Sequence, residues 1–132
     1  MGAALRIVDE TPSGRVLGET TLRLVSEKLT VRQLIEARVR HEVAAFNADQ
    51  EERVFRGLVR PTETEAHLNG YRLKKGRHVD PDEQVTKALD AFGRNGFLLL
   101  VDDKQLEALT DEIVVTDATA VSFIKLIPLV GG

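Results

Sequence analysis

At 132 residues, with a formal net charge of −3, 42% hydrophobic residues and no cysteine, the chain has the size and balance of one ordinary domain. The mild charge gives no electrostatic reason to invoke nucleic acid or an anionic membrane. The lack of cysteine excludes disulfides, thiolate metal sites and a cysteine nucleophile, and fits a cytoplasmic protein. No apolar run approaches the ~18 residues of a membrane span. The start MGAALRIVDE lacks the basic and then apolar regions of a secretory signal, and Arg6 stands where myristoylation calls for Ser or Thr.

Residues 4–8 alternate as a short strand, with Leu5 and Ile7 on one face. TPSG at 11–14 is turn chemistry, because Pro12 presets φ and Gly14 accepts a positive φ. RVLGETTLRLV then reads as a second strand with Leu22 and Leu24 inward, and the two make a hairpin. Thr30 with Gln33 three residues on forms a capping box, and Leu29 can staple onto Leu34. Val31, Leu34, Ile35, Val39, Val43 and Phe46 follow at helical spacing and predict one amphipathic helix.

The stretch from Asn47 to Asn95 is polar and rich in turn signals. DQEERVFRGLV can extend or restart a helix, and HLNGYRL sets an Asn-Gly turn between short apolar pieces. Asp80 as N-cap, Pro81 at the first helical position and Gly93 past the end predict a second helix over about 81–92. The last third returns to strands: FLLLV at 97–101, a turn at DDKQ, short extended pieces in LEALTDEIVVTD, and a long final strand at 120–128 closed by Pro128.

With residues 47–95 set aside, the order is strand, strand, helix, strand, short strand, long strand, then Gly131 and Gly132. That order resembles the β-grasp fold of ubiquitin and of the sulfur carriers for thiamine and molybdopterin synthesis. Lys104, Gln105, Leu106 and Glu107 keep the order of a ubiquitin strand turn, with Asp103 in place of its glycine. IPLVGG is similar to the endings of both groups. The resemblance covers residues 1–46 and 96–132. It implies an α+β, β-grasp chain: a mixed sheet packed on one helix, one domain over 1–132, with a partly helical 47–95 insertion between the helix and the third strand.

The resemblance also implies a chemistry for the tail. An E1-like activating enzyme would use ATP to adenylate the carboxylate of Gly132, and glycine at 131 and 132 suits a narrow channel in which a Cβ would clash. Pro128, Leu129 and Val130 would be the residues read by that enzyme. An E2-like conjugating enzyme, a deconjugating peptidase and a protein or small-molecule acceptor would be the further partners. Because the chain given ends at Gly132, no processing step is expected to be needed. Three uses stay open: a protein modifier, a sulfur carrier with a C-terminal thiocarboxylate, and a non-covalent adaptor. The insertion favours the first over the second, since sulfur carriers are compact; Pro128 and Val130 favour the second.

Each remaining candidate has a plainer reading. Lys104 is a chain-linkage acceptor by resemblance and a solvated turn lysine by composition. Arg72, Lys74, Lys75 and Arg77 are an anion patch or, more in keeping with an acidic chain, a solvated loop. His41, His67 and His78 lack metal-ligand spacing. The acids Asp102–Asp103 and Glu51–Glu52 face no opposing pocket, so no catalysis, resident cofactor or metal is expected of the chain itself. Finally, Phe97, Leu99 and Val101 oppose Leu98 and Leu100, and Val121, Phe123 and Ile127 oppose Ile124 and Leu126. A sheet apolar on both faces needs a second cover. The insertion through Leu89 and Phe92, a second copy, or the activating enzyme would provide it.

Overall fold

The computed structural model describes residues 2–49, 54–61, 65–67, 70–73 and 78–126. These form an α+β arrangement of ten strands and two helices: β1 (Ala3–Glu10), β2 (Val16–Leu24), β3 (Lys28–Thr30), α1 (Val31–Ala48), β4 (Val54–Phe55), β5 (Glu65–His67), β6 (Gly70–Arg72), α2 (Pro81–Gly93), β7 (Phe97–Val101), β8 (Lys104–Leu106), β9 (Glu112–Val114) and β10 (Val121–Lys125). The main sheet is mixed, in the order β2-β1-β10-β7-β8. Its first and last strands are neighbours: β1 and β10 run parallel, with Ile7 beside Val121 and Asp9 beside Phe123, and the other pairings are antiparallel. Two small sheets, β3-β9 and β4-β6-β5, complete the pairing.

The hairpin β1–β2 turns at Gly14, whose φ of +91° is open to glycine at little cost. Alternation then buries Leu5, Ile7, Leu22 and Leu24 on one face. α1 begins as its sequence dictates. The Thr30 hydroxyl accepts from the Gln33 amide at 3.2 Å, and the Gln33 side chain accepts from the Thr30 amide at 2.9 Å. The next orphan donors, the amides of Val31 and Arg32, give to the carbonyls of Asp111 and Leu109, so the helix start is tied to the loop before β9. The predicted stripe Val31, Leu34, Ile35, Val39, Val43 and Phe46 is buried throughout. It covers the sheet face made by Leu5, Ile7, Leu99, Val121 and Phe123.

The insertion departs from expectation in three places. Val54 and Phe55 are a strand paired with Arg72 and Tyr71, not a helix. α1 ends at Ala48 with Asp49 extended, and Phe55 earns its burial by meeting Phe46 edge-on at 5.4 Å. The pair β5–β6 is the expected hairpin, but the register His67 opposite Gly70 leaves Leu68 and Asn69 between the strands, and both lie outside the described residues. α2 starts as predicted, with the Asp80 carboxylate accepting from the amides of Asp82 and Glu83. It ends differently: Gly93 is the last helical residue, and the left-handed position falls to Asn95, φ 57°, after which the Gly96 amide donates back to Ala91.

α2 does not cover the second sheet face. Phe92 packs on Phe97 at 5.9 Å and Phe97 on Phe123 at 5.8 Å, which puts the helix beside α1 on the same face. The reason is that Val85, Ala88 and Phe92 extend the core already started by α1, with Leu89 half-buried at its margin. On the other face Val8, Leu98 and Leu100 stay half-buried, Ile124 is buried and Leu126 is exposed.

The final strand is shorter than expected among the described residues: it runs Val121–Lys125, Leu126 follows outside it, and residues 127–128 lie beyond the description. DDKQ divides, Asp102–Asp103 making a two-residue turn while Lys104 and Gln105 belong to β8. Both turn residues have positive φ (51° and 65°), the geometry that matches strand twist in tight hairpins. β3, which was not anticipated, exists because Lys28–Thr30 finds Glu112–Val114 as a partner.

Candidate functional site

The sequence directs attention to the tail and to Lys104. Pro128, Leu129, Val130, Gly131 and Gly132 lie outside the described residues, so what the structure offers is the strand that leads to them. Lys104 opens β8, opposite Val101, and is exposed. It sits on the outer strand of the sheet, two strands away from β10, and is not brought together with the root of the tail. Beside it the Asp102 carboxylate accepts from the Ala120 amide at 2.9 Å, and the Asp102 amide donates to the Ala120 carbonyl at 2.8 Å. The turn that presents Lys104 is thus pinned to the start of the final strand. Arg72 of the proposed anion patch is exposed, and Lys74, Lys75 and Arg77 lie outside the description. His41 and His78 are exposed, and no group of three metal-ligating side chains occurs among the described residues.

Sequence reasoning missed a cluster of four charges at the far end of β10. Strand alternation turns Asp9 of β1 and Lys125 of β10 toward α1. Helical spacing brings Arg38 onto the buried stripe and Glu42, one turn on, to its half-buried margin. The Arg38 guanidinium donates to both Asp9 oxygens at 2.5 and 2.6 Å, a fork-to-fork pair, and its Nε donates to Glu42 at 3.3 Å. Its central carbon, Cζ, also lies over the Phe123 ring, 4.5 Å from the ring centre. Arg38 is only 5% exposed. The Lys125 ammonium lies 3.9 Å from Asp9 and donates to the Gly57 carbonyl at 2.9 Å. The remaining Glu42 oxygen accepts from the Leu58 amide at 2.8 Å.

These neighbours set the protonation energetics. Burial works against the Arg38 charge, but Glu42 and Asp9 more than offset it, and the guanidinium is held above its ordinary value. Burial also raises the Glu42 carboxyl, against the opposing pull of Arg38, the Leu58 amide and Lys125. Burial lowers Lys125, with Asp9 and Glu42 only partly restoring it and Arg38 adding to the fall. Two acids and two bases balance, so the cluster carries no net charge into the interior. No buried side-chain polar atom among the described residues lacks a hydrogen-bond partner.

The same surface of α1 anchors the insertion. Asn47 behaves like a strand edge: its Nδ2 donates to the Val79 carbonyl at 2.8 Å and its Oδ1 accepts from the Val79 amide at 2.9 Å. Gln84 of α2 is buried and donates to the Val59 carbonyl at 2.9 Å. Gly57 is required by close approach, since a Cβ there would lie 2.1 Å from the Phe55 ring and 2.9 Å from the Glu42 carboxylate. Between β2, α1 and this loop is an open cleft of about 290 Å³ lined by Thr20, His41, Glu42, Phe46, Asp49 and Phe55 among others. Both Glu42 oxygens are already engaged by the protein, so the arrangement is built to hold the insertion rather than to move a proton.

No protein-family model, no curated protein and no solved structure matches this chain. No helix among the described residues is long and apolar enough to cross a membrane.

Proposed function

We propose that this chain is a ubiquitin-like protein modifier of the β-grasp type, in which the substrate is its own C-terminus. The observation that carries the reading is the mixed sheet in the order β2-β1-β10-β7-β8, with β1 and β10 parallel at its centre and α1 across one face. That arrangement supports the β-grasp reading, and in it the last strand is paired on both sides from Val121 to Ile124. Fold alone does not assign a use. The use comes from the sequence that follows: Pro128, Leu129 and Val130 for recognition, Gly131 and Gly132 for passage into a narrow site.

The chemistry is written on the Gly132 carboxylate. It attacks the α-phosphorus of ATP held by an E1-like enzyme and displaces pyrophosphate, converting a poor acyl donor into an acyl-adenylate. A thiolate of that enzyme, and then of an E2-like partner, displaces AMP to give a thioester. An amine on the acceptor takes the acyl group and releases the thiol. A sulfur carrier shares the first step, after which sulfide from a donor attacks the acyl carbon and displaces AMP to give a thiocarboxylate; IPLVGG keeps that second reading in view.

The test is a tagged full chain incubated with ATP in an extract of its own cells, beside a form lacking Gly131 and Gly132. An ATP-dependent, thiol-sensitive adduct formed by the full chain alone supports the reading. Equal adduct from the truncated form refutes it.

A further inference from the structure

We propose that the insertion is a clasp on the strand that carries the tail, fastened at Lys125, so that undocking the insertion and loosening the root of the tail are one event. Lys125 is the last residue of β10, and among the described residues its pairing is one-sided: the register with β1 ends at Ile124, and Phe97 of β7 stands opposite Lys125. The ammonium supplies a second hold by donating to the Gly57 carbonyl at 2.9 Å, across 68 residues of sequence. The adjacent Leu58 amide is held by Glu42, which is bound through Arg38 to Asp9, the same carboxylate that lies 3.9 Å from Lys125. Gly57 therefore has its carbonyl taken by the last strand and its following amide taken by α1. The ring of contacts closes on itself.

The energetics favour coupled rather than independent opening. If the loop at 57–58 leaves, Lys125 loses its carbonyl and Glu42 loses its amide donor while both remain among buried groups, and a buried charge left short of partners is costly. Each partner's departure thus raises the free energy of the other's docked state. Coupling between two sites is reciprocal by linkage, which is what makes it measurable from either end. The use of the clasp, setting how firmly the end of β10 is held when a partner enzyme engages the protein, rests on the function proposed above; the clasp itself does not.

The experiment reads each side while perturbing the other, by NMR-detected hydrogen exchange and 15N relaxation on the full chain. Asn47→Ala removes the two Val79 hydrogen bonds, remote from β10. It is expected to quicken exchange and increase motion at Lys125 and Leu126. Lys125→Met keeps the apolar stem and is expected to speed exchange at Leu58 and Val79 by about tenfold to a hundredfold, the worth of one charged hydrogen bond. Should Asn47→Ala not fold, Gln84→Met removes the donor to the Val59 carbonyl, a hold on the same loop away from β10, and the reading at Lys125 and Leu126 is the same. Changes confined to the perturbed side in both variants overturn the clasp. Because no activating enzyme enters the measurement, that failure would leave the proposed function standing, and loss of activation would leave the clasp standing.

Discussion

Replacing Arg38 with methionine keeps most of the side chain's length but removes the charge around which the buried cluster is organised. Asp9 loses a two-bond partner at 2.5 and 2.6 Å, Glu42 loses its bond at 3.3 Å, and the Phe123 ring loses the guanidinium above it. Lys125 remains, but its ammonium is 3.9 Å from Asp9 and already committed to Gly57. Two carboxylates are then left in the interior with one shared counter-charge. Breaking a buried pair in this way costs about 3–5 kcal/mol. With a urea dependence of about 2 kcal/mol per molar, the unfolding midpoint falls by roughly 2 M at neutral pH. The loss depends on pH with a definite sign. Without Arg38 the Glu42 carboxyl, already raised by burial, loses the largest influence holding it down, so the folded variant binds more protons than the unfolded chain as pH falls toward 4.5, and it recovers stability there. Urea unfolding at about pH 7.5 and about pH 5 measures both effects. A midpoint shift below roughly 0.5 M at the higher pH, or an equal shift at both, would refute the argument that Arg38 compensates two buried carboxylates.

Lys125 gives a linkage prediction of its own. Its ammonium is held below 10.5, so between that lowered value and 10.5 the unfolded chain binds more protons than the folded one. The stability of the natural chain relative to Lys125→Met therefore rises with pH through that alkaline window, measured by the same unfolding curves. Thr30→Ala removes the capping-box acceptor for Gln33 and costs about 1 kcal/mol. Leu99→Ala, at a fully buried position facing α1, costs about 2–5 kcal/mol, whereas Leu98→Ala on the half-buried opposite face costs less than about 1.5 kcal/mol; equal losses would contradict the assignment of faces. Asp103→Gly relieves a left-handed φ of 65° and raises stability by up to about 1 kcal/mol in thermal unfolding, while leaving the Asp102 bond to Ala120 in place.

The elements legible in the sequence are those whose signals are local. The capping box at Thr30 and Gln33, the stripe from Val31 to Phe46, Asp80 before Pro81 and the five apolar residues 97–101 each specify their element within one or two turns of chain. What the sequence hid depends on partners far along it. Lys28–Thr30 becomes a strand only because Glu112–Val114 lies beside it, and Val54–Phe55 only because Tyr71 and Arg72 do. The second helix was found, but not its destination: an apolar stripe demands burial without naming the surface, and Phe92 went to Phe97 on the face that α1 already occupied. The charge cluster is the instructive miss. Arg38 falls on the very stripe read as apolar and Glu42 at its half-buried margin, at the spacing that puts them beside Leu34, Ile35, Val39 and Val43. A charged pair four residues apart on the buried face was the available sign that their counter-charges, Asp9 and Lys125, waited on the sheet.

The claim that the C-terminus is the working end is tested most directly by intact and peptide-level mass spectrometry of the protein purified from its own cells. The expected species carry the Gly132 carboxylate joined through an amide to a side-chain amine of another protein, alongside free chain. A thiocarboxylate at Gly132 in place of conjugates would transfer the chemistry to sulfur donation. Only free carboxylate, under conditions where the full chain is abundant, would contradict the proposal.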